Sequence, residues 1–162
     1  MNASRHCVID IEASGFGRHS YPIEVGFVRP DGHAWCSLVM PADDWQHWDP
    51  AAEQLHGISR ALLQQHGRPV QEVAQRLNAD LAGCTAYCDG WAHDYSLLGA
   101  LFEAADLTPH FRLESVRALL DEARLQQLDG MRRAAFEVLG IARHRASSDA
   151  LALQWALERL SS

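Results

Sequence analysis

The run Cys7-Val8-Ile9-Asp10-Ile11 reads as a buried strand whose end carries two carboxylates, Asp10 and Glu12, two residues apart. Alternation along a strand sends both acids to the same face. Side by side they repel, and unpaired in an interior they would be costly. A bound divalent cation is the usual way such a pair is made tolerable.

The rest of the composition narrows what can surround that pair. At 162 residues, 48% apolar and 22% charged, the chain is expected to form one domain spanning 1–162 with a single core. All 14 basic residues are Arg, and the net charge of −7 has the wrong sign for broad adhesion to nucleic acid. A polyanionic substrate would therefore have to be gripped locally. Cys7, Cys36, Cys84 and Cys88 lie in apolar, strand-like surroundings that suggest free thiols, not a disulfide frame. Cys84, Cys88 and His93 lack the second ligand pair of a structural zinc site. Nothing at the N-terminus has the charged-then-apolar layout of a signal segment, and no run approaches the ~20 apolar residues of a membrane span. A cytoplasmic setting with no membrane partner is expected.

Downstream, Tyr21 to Arg29 and His33 to Val39 read as antiparallel strands joined by a turn at Pro30-Asp31-Gly32. Asp49-Pro50 has the form of an N-cap with Pro at the first helical position, opening a short helix through Leu55, with another from Ser59 to about Gln65. Val70, Val73, Leu77 and Leu81 share one face of a helix that Pro69 opens and Gly83 ends. Cys84 to Cys88 reads as a fourth strand. Helices are expected at Ala92–Ala105, Leu113–Glu122, Gly130–Leu139 and Ser148–Leu160. Three meandering strands followed by alternating helices and strands argue for an α/β mixed sheet with helices packed on it.

Several segments then carry a family resemblance. Asp10-Ile11-Glu12-Ala13-Ser14-Gly15 resembles the first motif of the DnaQ-like (DEDDh) 3′-5′ exonucleases. Pro22-Ile23-Glu24-Val25-Gly26 is similar to that family's second strand, and His56-Gly57-Ile58-Ser59 to its His-Gly-Ile-Thr segment. Asp94-Tyr95-Ser96-Leu97-Leu98 resembles the second acidic motif, and His144 is separated from Asp149 by four residues, as in the third. The chain departs from the pattern at Ala13, where Thr is usual, at Gly90, where Asn is frequent, and at His93, where an aromatic is common. Asp89 competes with Asp94 for the second acid, but only Asp94 is followed at helical spacing by Leu97 and Leu98.

The resemblance implies a ribonuclease H-like fold, with three antiparallel strands and then parallel ones, and two divalent ions, Mg²⁺ or Mn²⁺. Asp10 would bridge them, Glu12 and Asp149 would complete one, and Asp94 would hold the other. His144 would be the general base, since a neutral imidazole can accept a water's proton near neutral pH. Each residue also has a plainer role: Asp94 and Asp149 suit helix N-termini, and His144 between two arginines suits an exposed loop. Phe16, His56 and Ile58 are placed by the resemblance at the terminal base and sugar, with Trp91 as a further stacking candidate. Arg132-Arg133, Arg143 and Arg145 are phosphate collectors or a solvated face. The expected activity is release of nucleoside 5′-monophosphates from single-stranded or short DNA or RNA 3′ ends. The alternative is a catalytically idle nucleic-acid-binding or polymerase-associated subunit on the same fold, and partnership with a polymerase or a second copy stays open.

Overall fold

In the computed structural model, which describes residues 5–161, strand β1 (Cys7–Ala13) is the middle of a five-stranded sheet. β2 (Pro22–Val28) pairs antiparallel to it and β3 (Ala34–Leu38) antiparallel to β2, while β4 (Thr85–Cys88) and β5 (Arg112–Ser115) add parallel on the other side, giving the order β3-β2-β1-β4-β5. This is the mixed, ribonuclease H-like sheet that the sequence implies, flanked by six helices.

The two faces of β1 are buried by different helices. Ile9 and Ile11 pack with Val73, Leu77, Leu97 and Leu101 of α3 (Val70–Leu81) and α4 (Trp91–Ala104). Val8, on the opposite face, packs with Leu128 of α5 (Glu122–Leu139) and with Ala150, Leu153 and Leu157 of α6 (Ala146–Leu160). Burying each of these larger side chains contributes about 1.5–3 kcal/mol. Because Asp10 and Glu12 share the face of Val8, the strand's alternation aims both acids at α6. Helices α1 (Pro50–His56) and α2 (Arg60–His66) cover the β2 side, with Ile58 and Leu63 against Tyr21 and Ile23. Asp49 caps α1 by accepting the Ala51 N–H, as its Asp-Pro signature predicts.

Two elements differ from expectation. Residues 112–115 are strand, not the start of a helix, and a short 3₁₀ turn (Val116–Ala118) follows. Arg112 and Glu114 are exposed while Leu113 and Ser115 are half-buried, the alternation of an edge strand, and the Arg112 N–H donates to the Cys84 carbonyl at 2.9 Å. Sheet pairing overrides the helix-forming Leu and Ala nearby. The next helix then begins at Glu122, capped by Asp121, and runs through Gly130, whose low helix propensity suggests a start there instead.

Helix α6 meets the sheet unusually closely. A Cβ on Gly26, which lies opposite Asp10, would stand 2.7 Å from the backbone of both Ala146 and Ser147. Gly26→Ala therefore has to push the start of α6 off the sheet, and should destabilise the fold by about 1–3 kcal/mol in chemical denaturation. A variant as stable as wild type would mean that α6 is not held where it is seen.

Candidate metal centre and active site

The sheet order reverses between β1 and β4, and at such a switch point the carboxyl ends of the strands leave a crevice where open α/β sheets bind ligands. The sequence delivers its acids there. Asp10 and Glu12 come from the end of β1, Asp94 from the first turn of α4 just beyond β4, and Asp149 from the first turn of α6. Carboxylate oxygens of Asp10, Glu12 and Asp149 all lie within 4.8 Å of one another. Asp94, also buried, is close enough to raise the Asp10 pKa by its charge.

Crowding and burial reinforce each other in this cluster. Burial first, and then the charges of Glu12, Asp94 and Asp149, push the Asp10 carboxyl well above its ordinary range. Glu12 is raised to about 7 by burial and by the charges of Asp149 and Glu24. Asp94 is raised to about 7 mainly by burial, and Asp149 is raised by burial against the opposing hydrogen bond from His144. Asp10 Oδ2 is buried without a hydrogen-bond partner. Hard carboxylate donors gathered this tightly, one of them unsatisfied, fit a divalent cation.

His144 occupies the connection between α5 and α6 with φ +63°, a left-handed conformation uncommon for a side chain other than glycine. Its own N–H donates to Asp149 Oδ1 at 3.1 Å, which ties the histidine to the acid. The next residue is fixed more firmly. Arg145 Nη2 donates to Glu24 Oε2 at 2.6 Å and its Nε lies 3.1 Å from both Glu24 oxygens, while the Ala146 N–H donates to Oε1 at 2.7 Å. Glu24 is 1% exposed, so its charge depends on these donors. Arg145 is thus a strut for the third motif and not a free phosphate collector.

Other expected residues are distributed unevenly. Phe16 is 63% exposed on the loop after β1. The His56 ring is buried and its pKa lowered by burial; its Nδ1 accepts the Ile58 N–H, so the neutral ring's proton sits on the buried Nε2, on the side of the Ala13 backbone. Ile58 is fully buried among Tyr21, Ile23 and Leu63, with no surface for a base. Asp89 is not part of the cluster: it is exposed and pairs with Arg132 Nη1 at 2.6 Å. Arg132 itself is the residue that sequence reasoning placed poorly. It is largely buried, it lowers the pKa values of Asp10, Asp94 and Asp149, and its Nε is buried without a partner. Helical spacing from α6-facing Leu128, four residues earlier, was the available signal. Arg133 is exposed, and Arg143 lies over the Phe136 ring. Cys7 and Cys88 are buried free thiols and Cys36 is exposed; Cys84, Cys88 and His93 form no ligand group among the described residues.

Comparison with known structures agrees with this architecture. Exonuclease I of E. coli in complex with a dA16 oligonucleotide superposes with a TM-score of 0.68 at 16% identity, over 92% of this chain and 39% of that one. The zinc-bound form of the E. coli exonuclease I–single-stranded DNA complex gives 0.67 at 17% identity, over 93% and 39%. A moderately thermophilic exonuclease I from Methylocaldum szegediense gives 0.65 at 16%, over 90% and 38%. The chain therefore has the ribonuclease H-like fold of the DnaQ-like exonucleases, and it spans about two fifths of the length of these structures. At such identity the likeness is one of fold. No protein-family model matches the sequence, and no curated protein matches it. Among the described residues no helix is long and apolar enough to cross a membrane.

The raised carboxyl pKa values make a prediction with a definite sign. A folded protein whose acids titrate near 7 binds protons more tightly than the unfolded chain, where they titrate near ~4, so these groups lower stability as pH rises through that window. His6, His56 and His93, lowered by burial, oppose the trend, and a variant isolates the acids. Asp10→Asn should raise the melting temperature of metal-free protein at pH 8 by about 2–6 °C and do little at pH 5. Equal melting of the two proteins at pH 8 would contradict the repulsion inferred here.

Proposed function

We propose that the chain is a single metal-dependent 3′-5′ exonuclease domain that hydrolyses phosphodiester bonds at single-stranded or short DNA or RNA 3′ ends and releases nucleoside 5′-monophosphates. One observation carries the reading: acids from β1 and α6 converge within 4.8 Å at the sheet's switch point, with His144 held beside Asp149. In this reading Asp10, Glu12 and Asp149 would hold one Mg²⁺ or Mn²⁺ ion, and Asp94 would help to hold a second. Such ions, when bound, activate a water and offset charge on the leaving 3′ oxygen.

The chain's own groups do the rest. His144 takes the proton of the attacking water, and its backbone is tied to Asp149 and followed by the Arg145 strut. Arg132 moderates the negative field of the acids, so that a phosphate can approach a cluster in a protein of net charge −7. Phe16 offers an exposed ring to the terminal base, while His56, buried with its Nε2 toward the Ala13 backbone, supports the end of β1. Ile58 backs His56 from the core and makes no contact of its own. Against the idle-subunit alternative stand the acids and the histidine present in the chain, with Asp10, Glu12 and Asp149 gathered together.

Matched labelled DNA and RNA oligonucleotides incubated with Mg²⁺ or Mn²⁺ test the activity and its sugar preference together. Cleavage should proceed from the 3′ end by single nucleotides. Asp10→Ala should abolish it with the fold intact, and His144→Ala should lower turnover by ~10²-fold or more without comparable loss of metal binding, measured by calorimetry. Wild-type rates in either variant would sink the corresponding role.

A further inference from the structure

Exposed large apolar side chains gather beside the acids. Of the seven among the described residues, Phe16 lies four residues beyond Glu12, and Trp91 and Tyr95 bracket Asp94. Trp91 and Tyr95 are one helical turn apart at the start of α4, and their rings are stacked at 5.0 Å between centroids with planes 28° apart. They remain 40% and 58% exposed, and neither joins a buried cluster. The Trp91 indole is fixed by its Nε1 donating to the Leu113 carbonyl at 3.2 Å, so its face cannot turn freely. Asp94 is three residues from Trp91, and such helical neighbours have Cβ atoms about 5–6 Å apart. A rigid aromatic surface is therefore continuous with the metal-binding crevice.

Electrostatics near the site leaves room for such a grip. Arg132 is tied to Asp89, Arg145 to Glu24, and Arg143 lies over the Phe136 ring, so the arginines whose charge reaches the acids are already engaged. Stacking supplies affinity that needs no charge and reads no sequence, worth about 1–3 kcal/mol per base. It also requires a base outside a duplex.

We propose that the Trp91–Tyr95 pair is a stacking platform for an unpaired base upstream of the 3′-terminal nucleotide, and that the ligand class of this surface is single-stranded nucleic acid of any sequence. The proposal rests on the nuclease reading for its location, but binding tests it separately. Fluorescence anisotropy with Ca²⁺ in place of Mg²⁺ compares a labelled thymidine pentanucleotide with the same backbone made abasic at every position except the 3′ end. The wild-type protein should bind the base-bearing strand at least about tenfold tighter. Trp91→Ala/Tyr95→Ala should bring that ratio to within about twofold, and Trp91→Phe/Tyr95→Phe should keep most of it. A ratio unchanged in the alanine variant, equal weakening toward both strands, or a wild-type protein that does not distinguish or bind them would each overturn the platform. Wild-type protein that shows the base-dependent ratio but cleaves nothing with Mg²⁺ or Mn²⁺ would keep the platform and defeat the exonuclease assignment.

Discussion

Repulsion among carboxylates organises this molecule more than any single attraction does. Asp10, Glu12, Asp94 and Asp149 are gathered at one end of the sheet, and Glu24 lies directly across from Glu12 in the β1–β2 register. Like charges opposite each other on one sheet face are destabilising. The chain answers at two points. Arg145 and the Ala146 N–H neutralise Glu24, and Arg132 reaches toward the others from α5. Neither arginine satisfies the Asp10–Glu12–Asp149 group itself, whose acids keep raised pKa values. A site left short of positive charge in this way has the donor set that suits a divalent cation.

The docking of α6 shows how packing and chemistry share the same contacts. Gly26 lets the helix start touch β2, Glu24 binds its first free N–H, and Ala150, Leu153 and Leu157 seal its face against Val8. Those contacts fix Asp149 in the first turn and leave His144 just outside it in a left-handed conformation. Strain of that kind persists only where surrounding structure over-determines it. The hydrogen bonds at 145, 146 and 149 supply that determination, so stability of the α6 start and position of the histidine are one property.

Legibility in the sequence followed the range of the interactions involved. Strand β1, the hairpin at Asp31-Gly32, the Asp-Pro cap and the faces of α3 and α4 are local patterns, and they stand in the structure where period and turn chemistry put them. Strand β5 was not legible, because four residues with half-buried alternation become strand only through pairing with β4. The convergence of Asp10, Glu12 and Asp149 was foreshadowed by spacing and resemblance. Arg132 was not: adjacent Arg132 and Arg133 look alike in sequence, and only the packing of α5 on α6 turns one toward the acids and the other to solvent. The burial of Ile58 was not legible either: the resemblance implies a place near the substrate, and the structure packs it against Tyr21 and Ile23.

Fold alone does not carry the functional argument, since ribonuclease H-like sheets are scaffolds and chemistry resides in the groups placed on them. What supports the proposed nuclease reading is the joint arrangement: acids from β1 and α6 meet where the strand order reverses, with Asp94 of α4 close by, and His144 is tied to Asp149 through its backbone N–H. Each feature by itself has a plainer cause, in a helix N-terminus, a loop or a turn. Helix-terminal acids have no reason to converge on the same crevice, and a cap alone would not place Asp10, with a buried unsatisfied oxygen, beside Asp149 and Glu12. Convergence at an energetic cost to the metal-free fold is the mark of a site shaped by what it binds.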